Sequence, residues 1–289
     1  MTGPPRIPAT LIDADVLSDI GRARPDNQDC GRHQHLGPLE VLAVVADGVS
    51  GQSGGSTASQ LAVESVFRDF HQPAGRLSLE RRLARAAQRA NIDVYDLAVT
   101  VTELRGMGTT LTALAIRGDA LAAAHVGDSR LYLLRDERLV QLTKDHTVTG
   151  EKVRLGLLRE ERARHHPDRS TLTRCLGREL IVGLDRFTRR VIPGDTFVLC
   201  TDGLYNALDE SEIARIVSHH DASSACRELV DAANRAGAPD NVTVSVVRVI
   251  AGPAGESNAL ESSGLHDASA WSRLRRWARG RRGGSGGGR

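Results

Sequence analysis

Lysine is almost missing from this chain of 289 residues; it occurs only at Lys144 and Lys152, so arginine supplies nearly all the positive charge. That is a bias of composition and implies no function. Cysteine is scarce too. Cys30, Cys175, Cys200 and Cys226 lie far apart with no C-x-x-C pair, which leaves a zinc ribbon or a dithiol redox motif unsupported. No run of about 18 apolar residues occurs, so no segment reads as a membrane-spanning helix. Residues 1–10 hold two adjacent prolines and no apolar core, which predicts no secretory signal. There is no Gly-Lys-Ser/Thr triplet, which excludes a P-loop. Together these absences predict a reducing, cytoplasmic setting.

What is present supports a real core. Hydrophobic residues make up 40% of the chain, enough for one large domain or two small ones. The net charge is +2, but it is unevenly placed. The last 19 residues, "WSRLRRWARGRRGGSGGGR", carry seven arginines and no acid, so the body before them stands at −5. A mildly acidic body is no general nucleic-acid binder.

Patterning predicts a first strand over Asp13–Gly21, a turn-rich stretch "RARPDNQDCG", and a second strand ending at Ala46. Helices are expected over Thr57–Phe70 and Ser78–Ala98. "GTTLTALAIRGDALAAAHVGDSRLYLLRDERLVQLT" reads as an antiparallel meander with tight turns. Residues 146–170 are polar, arginine-rich and weakly helical, a long insertion of the kind that is usually functional. A strand over Asp195–Thr201, helices near Ser211–Ser218 and Ala222–Ala236, and a strand over Asn241–Ile250 complete the pattern. The domain is expected to span 11–250, with a flap at about 146–170 and a flexible tail over 251–289.

Two apolar runs each end in an aspartate and a glycine: "VVADGVSG" and "TFVLCTDG". A carboxylate at the mouth of a core is costly unless it is paired or holds a metal. Asp-Gly is also a common turn signal, but the layout occurs twice. Asp128 in "VGDSR" and Asp240 in "APDNVTV" share the setting of Asp47 and Asp202, each at a strand end. Four such aspartates meeting at one sheet edge would repel and force some into the neutral form unless cations bind. All-oxygen ligation favours Mg2+ or Mn2+. Two such ions about 3.5–4 Å apart activate water and stabilise a transferring phosphoryl group. A cation must also grip the phosphate, and spacing alone leaves Arg22 and Arg24 open.

The ordered set "RPDNQD" (24–29), "ADGVSG" (46–51), "GTT" (108–110), "VGDSR" (126–130), "LTKDH" (142–146), "LTRCLG" (172–177), "CTDGL" (200–204) and "DNVT" (240–243) resembles the metal-dependent Ser/Thr protein phosphatases of the PPM (type 2C) family in their bacterial form. The resemblance covers about residues 13–250. It implies an α+β fold, a four-layer α-β-β-α sandwich of two antiparallel sheets flanked by helices, with a flap insertion. It implies hydrolysis of phosphoserine and phosphothreonine by a metal-activated water, with two or three Mn2+ or Mg2+ ions. By resemblance, Arg24 grips the substrate phosphate. Asp47 bridges two metals and the Gly48 carbonyl is a further ligand. Asp202 and Asp240 complete the first metal, and Asp128 with Asp202 holds a third. Asp29 orders metal-bound water from behind. The implied partners are phosphorylated proteins, a Ser/Thr kinase and its substrates.

Three positions depart from that pattern. Val49 stands where some relatives place a proton-donating histidine, Ser50 replaces a frequent glycine, and Gln28 replaces a frequent glutamate. None deletes a metal-ligand carboxylate, so an active enzyme is expected. The alternatives are a catalytically weak or inactive PPM-fold binding module and, more remotely, a serine hydrolase using Ser53 in "GQSGG". The paired histidines His33/His35, His165/His166 and His219/His220 read as surface residues, while His146 and His166 fall where a flap could meet substrate. In the tail, Trp271, Leu274 and Trp277 recur at helical spacing among arginines, the pattern of a basic amphipathic segment in weak peripheral contact with an anionic membrane.

Overall fold

A computed structural model of the protein describes residues 11–49, 54–73, 75–163 and 166–251. The tail, Ser50, Ser53 and His165 lie outside the described residues. The strands are β1 (Ile12–Asp19), β2 (Asp29–Gly37), β3 (Glu40–Val49), β4 (Gly108–Thr109), β5 (Leu111–Arg117), β6 (Ala120–Val126), β7 (Arg130–Arg135), β8 (Arg138–Gln141), β9 (Asp185–Arg190), β10 (Thr196–Cys200) and β11 (Val242–Val249). The helices are α1 (Gly54–Phe70), α2 (Leu79–Thr100), α3 (Val148–Arg154), α4 (Glu160–Ala163), α5 (Asp202–Tyr205), α6 (Glu210–His219) and α7 (Ala222–Arg235). None of the described helices is long and apolar enough to cross a membrane.

Among the described residues, one antiparallel sheet runs β1-β11-β10-β7-β8 and the other β2-β3-β5-β6-β9, with β4 paired to β3. The central strands are apolar on both faces because both faces are covered. On β3, Leu42, Val44 and Ala46 pack against α1 and α2, while the alternate Val41, Ala43 and Val45 pack between the sheets. On β10, Val198 and Cys200 face α6 and α7, and Phe197 and Leu199 face the other sheet. Three apolar layers therefore separate four layers of secondary structure, the expected α-β-β-α sandwich. Each core valine, leucine or phenylalanine contributes roughly 1.5–3 kcal/mol on burial. Side-chain caps start the helices. Ser78 opens α2, Asp209 opens α6 and Asp221 opens α7, each accepting from a backbone N–H three residues on.

Four expectations need correction. The turn-rich stretch gives way at Asp29 to β2, whose polar sequence DCGRHQHLG hides a hairpin with β3. Strand β9 (DRFTRR) also escapes periodicity. Both are edge strands, where charged residues can face solvent. The region 108–143 is no single meander. β5 and β6 pair in one sheet, β7 and β8 in the other, and Gly127–Ser129 carries the chain between them. Finally, Asp47 does not follow the end of a strand, because β3 runs on through Val49.

Candidate metal and phosphate site

The site is assembled from strand ends of both sheets. Asp47 and Gly48 lie near the end of β3. Asp202 opens α5 directly after β10. Asp128 sits in the crossing from β6 to β7, and Asp240 precedes β11. Arg24 comes from the loop between β1 and β2. These residues line one cavity of about 250 Å3, to which Val49, Ser170 and Leu172 also contribute. Arg22 is not among the lining residues; its backbone N–H donates to the Ala238 carbonyl at 3.0 Å. The cavity thus separates the two arginines that spacing left open.

Both Asp-Gly glycines are required by close approach. A Cβ on Gly48 would stand 2.2 Å from the Gly55 carbonyl oxygen, and one on Gly203 would stand 2.0 Å from the Asn241 carbonyl oxygen. In each case the missing side chain lets another segment of the site come against the aspartate.

The carboxylates raise one another's pKa. Burial pushes Asp47 well above the usual carboxylate range, and repulsion from Asp29, Asp202, Asp128 and Asp240 adds to it. Burial raises Asp128 likewise, helped by Asp202 and Asp145. Asp202 is pushed up to about 6 by burial and by Asp240, against the pull of Arg24 and a hydrogen bond from Asn206. Asp29 sits directly opposite Asp47 across the β2–β3 pair, and is 7% exposed. Burial lifts it to about 7, although Thr201 Oγ1 donates to its Oδ2 at 2.8 Å.

Such a set calls for a cation, and one is partly supplied. Arg24 Nη2 donates to Asp240 Oδ2 at 2.7 Å, and that contact holds its guanidinium charge above the ordinary arginine pKa. Asp202 Oδ2 accepts from Asn206 at 3.1 Å, but its Oδ1 is buried with no hydrogen-bond partner. An orphaned carboxylate oxygen facing three more carboxylates is a donor set that fits hard divalent ions. Among the described residues, no three acidic, histidine or cysteine groups are already arranged to hold an ion.

Residues that patterning did not single out hold the loops together. Asn241 Oδ1 accepts from the Gln28 N–H at 2.9 Å, while its Nδ2 donates to the carbonyls of Ile20 and Asp26, so it ties the Arg24 loop to Asp240. The Gln28 carbonyl accepts from Gly48 N and Ser59 Oγ, and its side-chain amide donates to Asp26 at 3.1 Å. Thr110 Oγ1 accepts from Asp47 N at 2.9 Å. The motifs D-N-V-T, G-T-T and C-T-D-G-L carried these residues in the sequence, but the contacts that give Asn241 and the threonines their roles appear only in the fold.

His146 is not a flap-surface residue. It is 1% exposed, accepts from the Gly127 N–H at its Nδ1, and lies 3.2 Å from Asp185 Oδ2. His219 and His220 bond to carbonyls of their own helix, His166 Nδ1 accepts from Asp168 N, and His33 and His35 are half-buried on β2.

Known proteins are similar to this chain over most of its length. The family model described as Protein phosphatase 2C matches residues 22–241. A serine/threonine phosphatase stp of Listeria innocua is 34% identical over 81% of this chain and 94% of its own length. The crystal structure of the Mycobacterium tuberculosis serine/threonine phosphatase PstP/Ppp superposes with a TM-score of 0.75 at 34% identity, covering 83% of this chain and 99% of that one. A structure of the PstP catalytic domain in complex with two manganese ions gives a TM-score of 0.73 at 33% identity, covering 83% and 98%.

Proposed function

The chain belongs to the protein phosphatase 2C family, and from that membership we propose the following account of a metal-dependent phosphatase acting on phosphoserine and phosphothreonine in proteins. One observation carries it: Asp47, Asp128, Asp202 and Asp240, brought from strand ends of both sheets, line the same cavity as Arg24, with Asp26 beside them. The phosphatase domain spans 11–250, with the flap at about 146–170.

Asp47, the Gly48 carbonyl, Asp202, Asp240 and Asp128 would hold the ions. Manganese fits the all-oxygen donor set and is the ion of the PstP complex. When bound, the ions activate a water and neutralise charge on the phosphoryl group. The chain's own residues do the rest. Arg24, whose side chain is 54% exposed, turns its fork from Asp240 to the phosphate and orients it by two parallel hydrogen bonds. Asp29 stands behind Asp47 and keeps an acidic oxygen within the water network of the site. Leu172 and Val49 narrow the cavity and exclude bulk water. Val49 has no proton to give, so the leaving oxygen takes its proton from water in the cavity.

The partners are phosphorylated proteins, a Ser/Thr kinase and its substrates among them, in the cytoplasm. The tail segment around Trp271, Leu274 and Trp277 gives weak contact with anionic membrane surfaces. Cosedimentation with anionic liposomes, with and without residues 251–289, tests that part; equal pelleting refutes it.

The catalytic reading is tested by hydrolysis of a phosphothreonine peptide by wild type and Asp202→Ala, with Mn2+ titrated and EDTA as control. Turnover that needs Mn2+ and is lost in the variant is the expected result. Turnover unchanged in excess EDTA would contradict it.

A further inference from the structure

Asp128 precedes β7 and Asp202 follows β10, each two residues from the paired Arg130 and Cys200 of one sheet, and like charge drives the two carboxylates apart. Strand pairing stops short of both, so their separation needs a further tie. Asp202 opens α5 and Tyr205 closes it three residues on, so both project from one helical turn. The Tyr205 hydroxyl donates to the Asp128 carbonyl at 3.1 Å. The guanidinium of Arg130, two residues beyond Asp128, lies 3.6 Å from the centre of the Tyr205 ring. Arg130 is itself immobilised. Its Nε and Nη2 donate to Asp145 at 3.0 and 2.7 Å, and its Nη1 donates to the hydroxyl of the buried Tyr132 at 2.9 Å.

The Asp128 loop therefore grips Tyr205 at two points, one polar and one cation–π, while Tyr205 shares its helix with Asp202. We propose that Tyr205 is a positioning residue that fixes the separation of the Asp128 and Asp202 carboxylates and so sets the affinity of the ion they share. This rests on reading those carboxylates as metal ligands. A tyrosine that only filled space would be replaced by phenylalanine without loss. Here the hydroxyl is aimed at the main chain of the ligand residue itself.

The test is Mn2+ binding by calorimetry to wild type, Tyr205→Phe and Tyr205→Leu, with thermal unfolding in chelator and phosphopeptide kinetics against Mn2+. Tyr205→Phe keeps the ring on Arg130 and removes only the hydroxyl. Its weakest Mn2+ step is expected to need about tenfold more metal, the scale of losing a partner behind a ligand. Its Tm in chelator should move by no more than about 3 °C, and KM for the peptide should stay that of wild type. Tyr205→Leu loses both grips and should need about a hundredfold more metal. A Tyr205→Phe isotherm that superimposes on wild type would overturn the proposal, as would a fall in Tm with no change in Mn2+ affinity. Wild type that binds no Mn2+ would overturn the metal reading first and this inference with it.

Discussion

Asp47-Gly48 and Asp202-Gly203 are one dipeptide held in two backbones. The first stays inside a strand, with Asp29 directly across the ladder. The second opens a one-turn helix, where Asn206 and Arg24 both ease the charge. Burial and neighbours raise Asp47 well above the usual carboxylate range, whereas Asp202 reaches only about 6. The two copies share their glycine requirement, since either Cβ would collide with a backbone carbonyl of another segment, Gly55 in one case and Asn241 in the other. The repeat thus reflects one demand, a carboxylate pressed against a second backbone, met by two local structures.

The largest expected effect asks whether the copies are equal in function. Asp47→Asn and Asp202→Asn should each lower Mn2+-dependent turnover about a thousandfold. A variant that keeps near-wild-type turnover would break the pairing. Next, Gly48→Ala and Gly203→Ala should each cost more than about 3 kcal/mol, because the obstacle is backbone and cannot swing aside. Urea unfolding measures that cost, and a loss under about 1 kcal/mol would show that the close approach is dispensable.

Metal-free stability against pH sharpens the contrast. Asp202 has a folded pKa of about 6 against 3.8 unfolded, so the folded state binds the proton more tightly. Its contribution is complete below pH 3.8 and is lost as pH rises through about 6. In chelator, Asp202 should account for on the order of 2 kcal/mol of the stability that wild type loses over that window, with Asp29, Asp47 and Asp128 adding to the loss. Asp202→Asn should make the slope there shallower without abolishing it. Asp47→Asn should stabilise the metal-free protein more than Asp202→Asn does, since Asp47 is the costlier charge. The smallest effect concerns Gln28. Gln28→Glu sets a carboxylate against Asp26 on the Asp47 side of the site. It should raise Mn2+ affinity about threefold at low salt, and the gain should shrink as salt rises.

Much of this was legible in the chain. β3 and β10 announce themselves because burial on both faces demands unbroken apolar runs, β11 because its valines alternate with small polar residues, and α2 because its apolar stripe and Ser78 cap are local. β2 and β9 were illegible for the opposite reason: at sheet edges no pattern is imposed on DCGRHQHLG or DRFTRR. The site aspartates were legible because a carboxylate is conspicuous after valines. Tyr205 was not, and the motifs that contain Asn241 and Thr201 did not disclose their roles, since each acts through a partner far along the chain. Spacing left Arg22 and Arg24 open; the resemblance pointed to Arg24, and it is Arg24 that lines the cavity.

The most direct test is anomalous diffraction at the manganese edge from crystals soaked in Mn2+. The account predicts ions in the cavity with both Asp47 and Asp202 among their ligands. Ions bound elsewhere, with either aspartate left without one, would contradict it.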